Sequence, residues 1–166
     1  MKKLIRFFKH ITAARWQVSR RLSKHSMNVI EAAIHASETR HMGELRFAVE
    51  AGLDWPELLS GVTSRQRALM VFSQLRVWDT EHNSGVLIYL LLADHKVEIV
   101  ADRGIHSRVG TASWMSICQD MENKFRLGQF EQGVLLGINS ITTLLQQHYP
   151  VHGQKLNELS DRPTVL

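Results

Sequence analysis

The residues Gly85-Val-Leu-Ile-Tyr-Leu-Leu-Leu-Ala93 constrain the fold more than any other part of this chain. Apolar side chains occupy both parities, so a strand built from them is central and covered on both faces. The uninterrupted apolar part, Val86 to Ala93, is too short to span a bilayer as a helix. Asp94-His95-Lys96 then makes a tight polar turn into Val97-Glu-Ile-Val-Ala-Asp102, which predicts an antiparallel hairpin.

The neighbours of this hairpin follow from periodicity. Glu44-Leu-Arg-Phe-Ala-Val-Glu50 alternates polar with apolar, the pattern of a strand covered on one face. Residues 51–61, with Gly52, Asp54, Pro56 and Gly61, read as a loop with one helical turn. Thr63 or Ser64 caps a helix that carries Ala68, Leu69, Phe72, Leu75 and Trp78 inward. A right-handed crossover through that helix makes the first two strands parallel. Further helices are expected from a Ser26 cap to about His41, over 111–126, and over 130–148 before Pro150. Gly104 breaks the third strand, and the polar tail after Val151 is expected to fray.

The order helix, strand, helix, strand, strand, helix, helix gives an α/β fold. It is a three-layer α/β/α domain with a short mixed sheet flanked by helices, preceded by a basic amphipathic N-terminal helix. At 166 residues the chain suits a 1–25 arm, one domain over 26–150 and a 151–166 tail.

Charge separates these parts. Lys2, Lys3, Arg6, Lys9, Arg15, Arg20, Arg21 and Lys24 precede the first acid, Glu31. The remaining 12 basic residues face all 16 acids, so a +8 arm precedes a −4 body. Leu4, Ile5, Phe8, Ile11, Val18 and Leu22 recur at helical spacing within the arm. Such an arm packs on the body or attaches to an anionic membrane surface, where each cation contributes about 1 kcal/mol. Nucleic acid is disfavoured, because no stacking series or reader motif accompanies the charges. Cys118, the single cysteine, excludes an internal disulfide and sits on an apolar helical stripe.

The expected topology gathers four polar segments at one end of the sheet. They are His41 and Glu44, the stretch Asp79 to Asn83, Asp102 with Arg103, and the helix start near Thr111. The opposite end is expected to be poorer in ionisable groups. Asp79, Glu81, His82 and Asn83 are ordinary turn residues or a site, with Asp79, Glu81 and His82 as catalytic candidates. Arg103 and Arg108 flank Gly104 before a helix start, where an anion fits between them and Thr111 or Ser113. Their other reading is pairing with Asp102 and Glu81.

The string Asn83-Ser-Gly-Val-Leu-Ile-Tyr-Leu-Leu-Leu-Ala-Asp-His-Lys-Val-Glu-Ile-Val-Ala-Asp-Arg-Gly-Ile105 resembles the centre of the TPM-domain family. Phe125-Arg-Leu-Gly-Gln-Phe-Glu-Gln-Gly-Val-Leu-Leu-Gly-Ile138 is similar to its later F-R-x-G-D-Y segment, and 40–50 to its first strand. The matching blocks run through residues 28–148. The resemblance implies a sheet sandwiched by helices. It implies either an adaptor in membrane-associated envelope maintenance or a metal-assisted phosphatase at the polar end of the sheet. The implied metal ligands are Asp79, Glu81, Asn83, Asp102 and Glu44, with calcium or zinc as the divalent ion. The implied partners are LemA-family or other TPM membrane proteins, and the implied location is cytoplasmic, peripheral at the inner face of the cell membrane.

This sequence departs from the family pattern where chemistry would reside. His82 stands in place of the Asp of D-N-G, and the G-Y-G-L-E motif becomes Asp102-Arg-Gly-Ile-His106. A secretion signal and a C-terminal membrane helix, usual in the family, are not found. Calcium takes about six to eight oxygen ligands, more than this edge supplies. His82 makes zinc more acceptable than an all-oxygen site would.

Overall fold

The computed structural model describes residues 2–13, 15–153 and 156–166, without the side chains of residues 2–5 and 11. The stripe residues Leu4, Ile5 and Ile11 and the cations Lys2 and Lys3 therefore lie outside the described side chains. The chain forms a mixed four-stranded sheet between two helical layers. Its strands are β1 (Glu44–Glu50), β2 (Gly85–Leu91), β3 (Lys96–Ala101) and β4 (Thr164–Val165), in spatial order β3-β2-β1-β4. β1 and β2 are parallel with Glu44 opposite Gly85, and β2 and β3 form the expected antiparallel hairpin.

One face is covered by α3 (Lys24–Glu38), α7 (Thr111–Arg126) and α8 (Phe130–His148), around Phe47, Ile88, Met121 and Ile138. The other face packs Ala48, Leu87 and Tyr89 against Ala68 and Val71 of α5 (Ser64–Gln74). Burial on both faces explains why β2 shows no polar alternation. The cap of α3 is Ser23 rather than Ser26, whose own backbone N–H donates to the Ser23 hydroxyl. The single expected turn is α4 (Trp55–Leu59), with a capping box between Asp54 and Glu57.

Three expectations change. α5 ends at Gln74, and Arg76 adopts φ 51°, so the chain turns before Trp78, which is exposed instead of inward. β1 is buried along its whole length rather than on one face, because the C-terminal segment returns to the sheet. β4 pairs with β1 there, and Arg46 donates to the Ser160 carbonyl and, at 2.9 Å, to Thr164 Oγ1. The tail after Val151 thus contains an ordered strand where fraying was expected.

The N-terminal helices α1 (Lys2–Ile11) and α2 (Arg15–Arg21) also pack on the body. Val18 and Leu22 enter the main core beside β1. β3 is an edge strand, but its edge is guarded: Arg65 donates to the Ile99 carbonyl at 2.6 Å.

Candidate functional site

Gly85 begins β2 where Asp102 ends β3, and the Asp102 N–H donates to the Gly85 carbonyl at 2.9 Å. Glu44 is tied to the same end through its N–H and the Ser84 carbonyl. The approach is close enough to require glycine at 104, where an added Cβ would lie 2.5 Å from the Asn83 carbonyl oxygen. Asn83 turns the chain with φ 48°. A cleft of about 700 Å³ opens here, lined by Asn83, Asp102, Arg103, Trp78, Phe72 and Leu69 among others. Its walls are more apolar than the sequence suggests, because the shortened α5 leaves Trp78 half exposed.

The other expected members do not join a common centre. Asp79, Glu81 and His82 are exposed on the turn, and the Glu81 N–H donates to the Glu158 carboxylate at 3.1 Å. The Glu44 side chain is fully buried and accepts the Leu159 N–H at 3.2 Å. The Asp102 carboxylate caps α6 (Arg103–Val109), a helix hidden in the sequence behind Gly104, by accepting the Arg103 N–H at 2.6 Å. Arg108 lies one turn on. It donates to the His148 carbonyl at 2.8 Å and stacks 4.6 Å from the Tyr149 ring. The anion pair expected from Arg103 and Arg108 is thereby split between two surroundings. Of the implied metal ligands Asp79, Glu81, Asn83, Asp102 and Glu44, Asn83 and Asp102 line the cleft together. Among the described residues, no three His, Cys, Asp or Glu groups are placed to hold a metal ion.

His41 is sealed, not a site residue. Its Nδ1 donates to the Gly43 carbonyl at 3.1 Å, and its Nε2 is hydrogen-bonded with the Ser37 hydroxyl at 2.9 Å. Ser37 also meets Thr142 at 2.6 Å, and all three side chains are buried from any substrate. His106 and Cys118 line a separate groove with Arg65 and Trp114. Burial raises the Cys118 thiol pKa to about 11, which leaves it protonated and unreactive near neutral pH.

The strongest ionic chemistry lies at the opposite end, where the sequence showed least. Asp94 receives Arg6 Nη2 at 2.9 Å and His10 Nε2 at 2.9 Å. His10 Nδ1 accepts the Leu53 N–H at 2.9 Å, which leaves Nε2 as the protonated nitrogen of a neutral ring. Burial pushes the Asp94 pKa up, but the hydrogen bonds from His10 and Arg6 outweigh it and hold the value near 2. On the other face Arg67 grips Glu50 with contacts of 2.7 and 2.9 Å, and the Tyr89 hydroxyl donates to the same carboxylate. Burial and the Glu50 charge raise the Tyr89 pKa, keeping the phenol protonated as the donor. A charged residue closing each apolar strand (Glu50, Asp94) was the available signal.

The model of the TPM domain matches residues 19–144. The chain belongs to the TPM-domain family. Among solved structures, this TPM-domain chain is similar to BA42 from the psychrophilic bacterium Bizionia argentinensis. The two share 26% identity and a TM-score of 0.77, over 87% of this chain and 95% of that one. The N-terminal domain of a P. gingivalis protein is similar in fold, with 17% identity and a TM-score of 0.62. That match covers 85% of this chain and 95% of the other. A comparison with proteins of curated function returns no match.

Proposed function

We propose that this TPM-domain chain is a non-enzymatic adaptor in envelope maintenance, held peripherally at the anionic inner face of the cell membrane by residues 1–25. One observation carries the reading. Lys9, Arg15, Arg20, Arg21 and Lys24 are exposed and have no carboxylate partner among the described residues. Phe8 and Trp16, 59% and 60% exposed, are interleaved with them. Five uncompensated cations near anionic lipid contribute roughly 5 kcal/mol, a sub-millimolar affinity by themselves. Stable attachment therefore needs apolar contact as well, which Phe8 and Trp16 offer. Among the described residues no helix is long and apolar enough to cross a membrane. Docked in this way, the chain turns its Trp78 cleft, at the far end of the sheet, away from the lipid. LemA-family or other TPM membrane proteins are the partners this reading favours.

The test is co-sedimentation of the full chain with phosphatidylglycerol vesicles and with neutral phosphatidylcholine vesicles. The wild type should bind only the anionic vesicles, and Arg15→Glu with Arg20→Glu should abolish binding. Equal binding by that variant would remove the reading. The alternative, a metal-assisted phosphatase using Asp79, Glu81 and His82, has less support because its carboxylates are dispersed. Aryl-phosphate turnover with calcium or zinc, lost in Asp79→Ala with Glu81→Ala, would restore it.

A further inference from the structure

Beyond the arm, a second element stands at the same surface. α2 packs beside the turn between α7 and α8, and a cleft of about 490 Å³ between them is lined by Trp16, Arg20, Arg21, Gly128 and Phe130. The turn is rigid. The Leu127, Gly128 and Gln129 N–H groups all donate to carbonyls of the last turn of α7, Lys124 and Phe125. Gly128 takes φ 74°, and Phe130 stacks on Phe125 with centroids 5.3 Å apart. Below the surface the turn is thus fixed, and at its tip Leu127 is 72% exposed.

A single exposed leucine is ordinary on a protein surface. Leu127 differs in its surroundings. The Arg21 guanidinium lies 4.8 Å over the Phe130 ring, Arg20 lines the same cleft, and the adjacent Arg126, 3.7 Å from the Glu122 carboxylate and bonded to Asn123, is 59% exposed. On the neighbouring β2–β3 turn, burial lowers the His95 pKa, and the nearby Arg21 and Lys9 charges lower it further. Two exposed apolar residues, Trp16 in the cleft and Leu127 next to its Gly128 wall, are therefore neighboured by Arg20 and Arg21 of α2 and Arg126 of α7. That composition matches an interface with one layer of phosphates and one of acyl chains.

We propose that the membrane-contact surface is bipartite: Leu127 on the α7–α8 turn inserts beside Trp16, while Arg20, Arg21 and Arg126 bind the phosphates of anionic phospholipid headgroups. This rests on the membrane reading above and extends it to a site outside the basic arm. The rigid turn supplies depth and orientation, which a charged helix alone does not.

The experiment uses the full chain with phosphatidylglycerol vesicles. Leu127→Asp and the milder Leu127→Ser should keep the wild-type melting curve, since the side chain is exposed. Leu127→Asp should bind about tenfold more weakly. An environment-sensitive NBD label on Leu127→Cys, in a Cys118→Ser background, should shift to the blue with anionic vesicles and not with neutral ones. If Leu127→Asp binds as the wild type does and the label stays water-like, while Arg15→Glu with Arg20→Glu still abolishes binding, the arm acts alone and this inference falls. If the wild type binds no anionic vesicle, both readings fall. Should Leu127→Asp disturb the fold, the serine variant and the label decide the matter.

Discussion

The two ends of the sheet use charge in opposite ways. At the Asp94 end, Asp94 is held by Arg6 and His10, Glu50 and Glu57 by Arg67, and Glu122 by Lys96. At the Asn83 end, Asp79, Glu81 and Asp102 enter no ion pair among the described residues. The crowded stretch of the sequence became the looser region in space. The sparse one gained its partners from residues 6 and 10, more than eighty positions away. Carboxylates at the first end are fastened by cations, whereas at the second Asp102 caps a helix, Asp79 and Glu81 face solvent, and the buried Glu44 accepts a backbone N–H.

This contrast can be broken most forcefully at the arm. Leu22 is 1% exposed, so Leu22→Ala should cost about 2–5 kcal/mol in urea unfolding. Removing residues 1–25 should cost more still, since Val18 goes with it. A folded, undiminished truncation would show that the arm only rests on the body. Next in size is Asp94→Ala, which strands the buried His10 N–H and should cost about 2 kcal/mol. It should also speed amide exchange at Leu53.

Because the folded pKa of Asp94 lies below its unfolded value of about 3.9, its contribution is complete above that pH. It is lost as pH falls toward about 2. Asp94→Asn should therefore flatten the acid limb of the stability curve between those values, and an unchanged limb would refute the pairing. Tyr89→Phe removes one hydrogen bond while Glu50 keeps Arg67, so about 1 kcal/mol is expected from the shift in denaturation midpoint. Smallest is Asp79→Ala with Glu81→Ala, whose side chains are exposed. Its melting temperature should correspond to a change within about 0.5 kcal/mol. A large loss there would mean the Asn83 end is fastened after all.

The strands and long helices were legible because their signals are local. Val86 to Ala93 could only be interior, α8 begins and ends on the expected residues, and the antiparallel hairpin forms as expected, although its turn spans residues 92–95 and Lys96 already belongs to β3. The convergence of Asn83, Asp102 and Arg103 was also legible, since it follows from strand direction. What escaped depended on distant sequence. Alternation in β1 predicted an exposed face because nothing in residues 44–50 announces that residues 158–165 will cover it. Trp78 had helical spacing, but the left-handed Arg76 ends that periodicity two residues earlier. The dispersal of Asp79, Glu81 and Glu44 reflects the same limit: neighbours in sequence or at one sheet end need not point into one volume.

Arg46 gives the sheet an order of assembly in time. Its guanidinium sits on a buried strand, yet its acceptors are Ser160 and Thr164, 114 and 118 positions later. During synthesis the hairpin and helices can form while Arg46, though near the Glu38 carboxylate, still lacks its hydrogen-bond acceptors from the C-terminal segment. The chain must therefore hold β1 open, or leave Arg46 hydrated, until residue 164 has emerged. Completion of the sheet is a late, long-range event, and the slow step of folding should be the docking of the C-terminal segment on β1 rather than formation of the apolar hairpin.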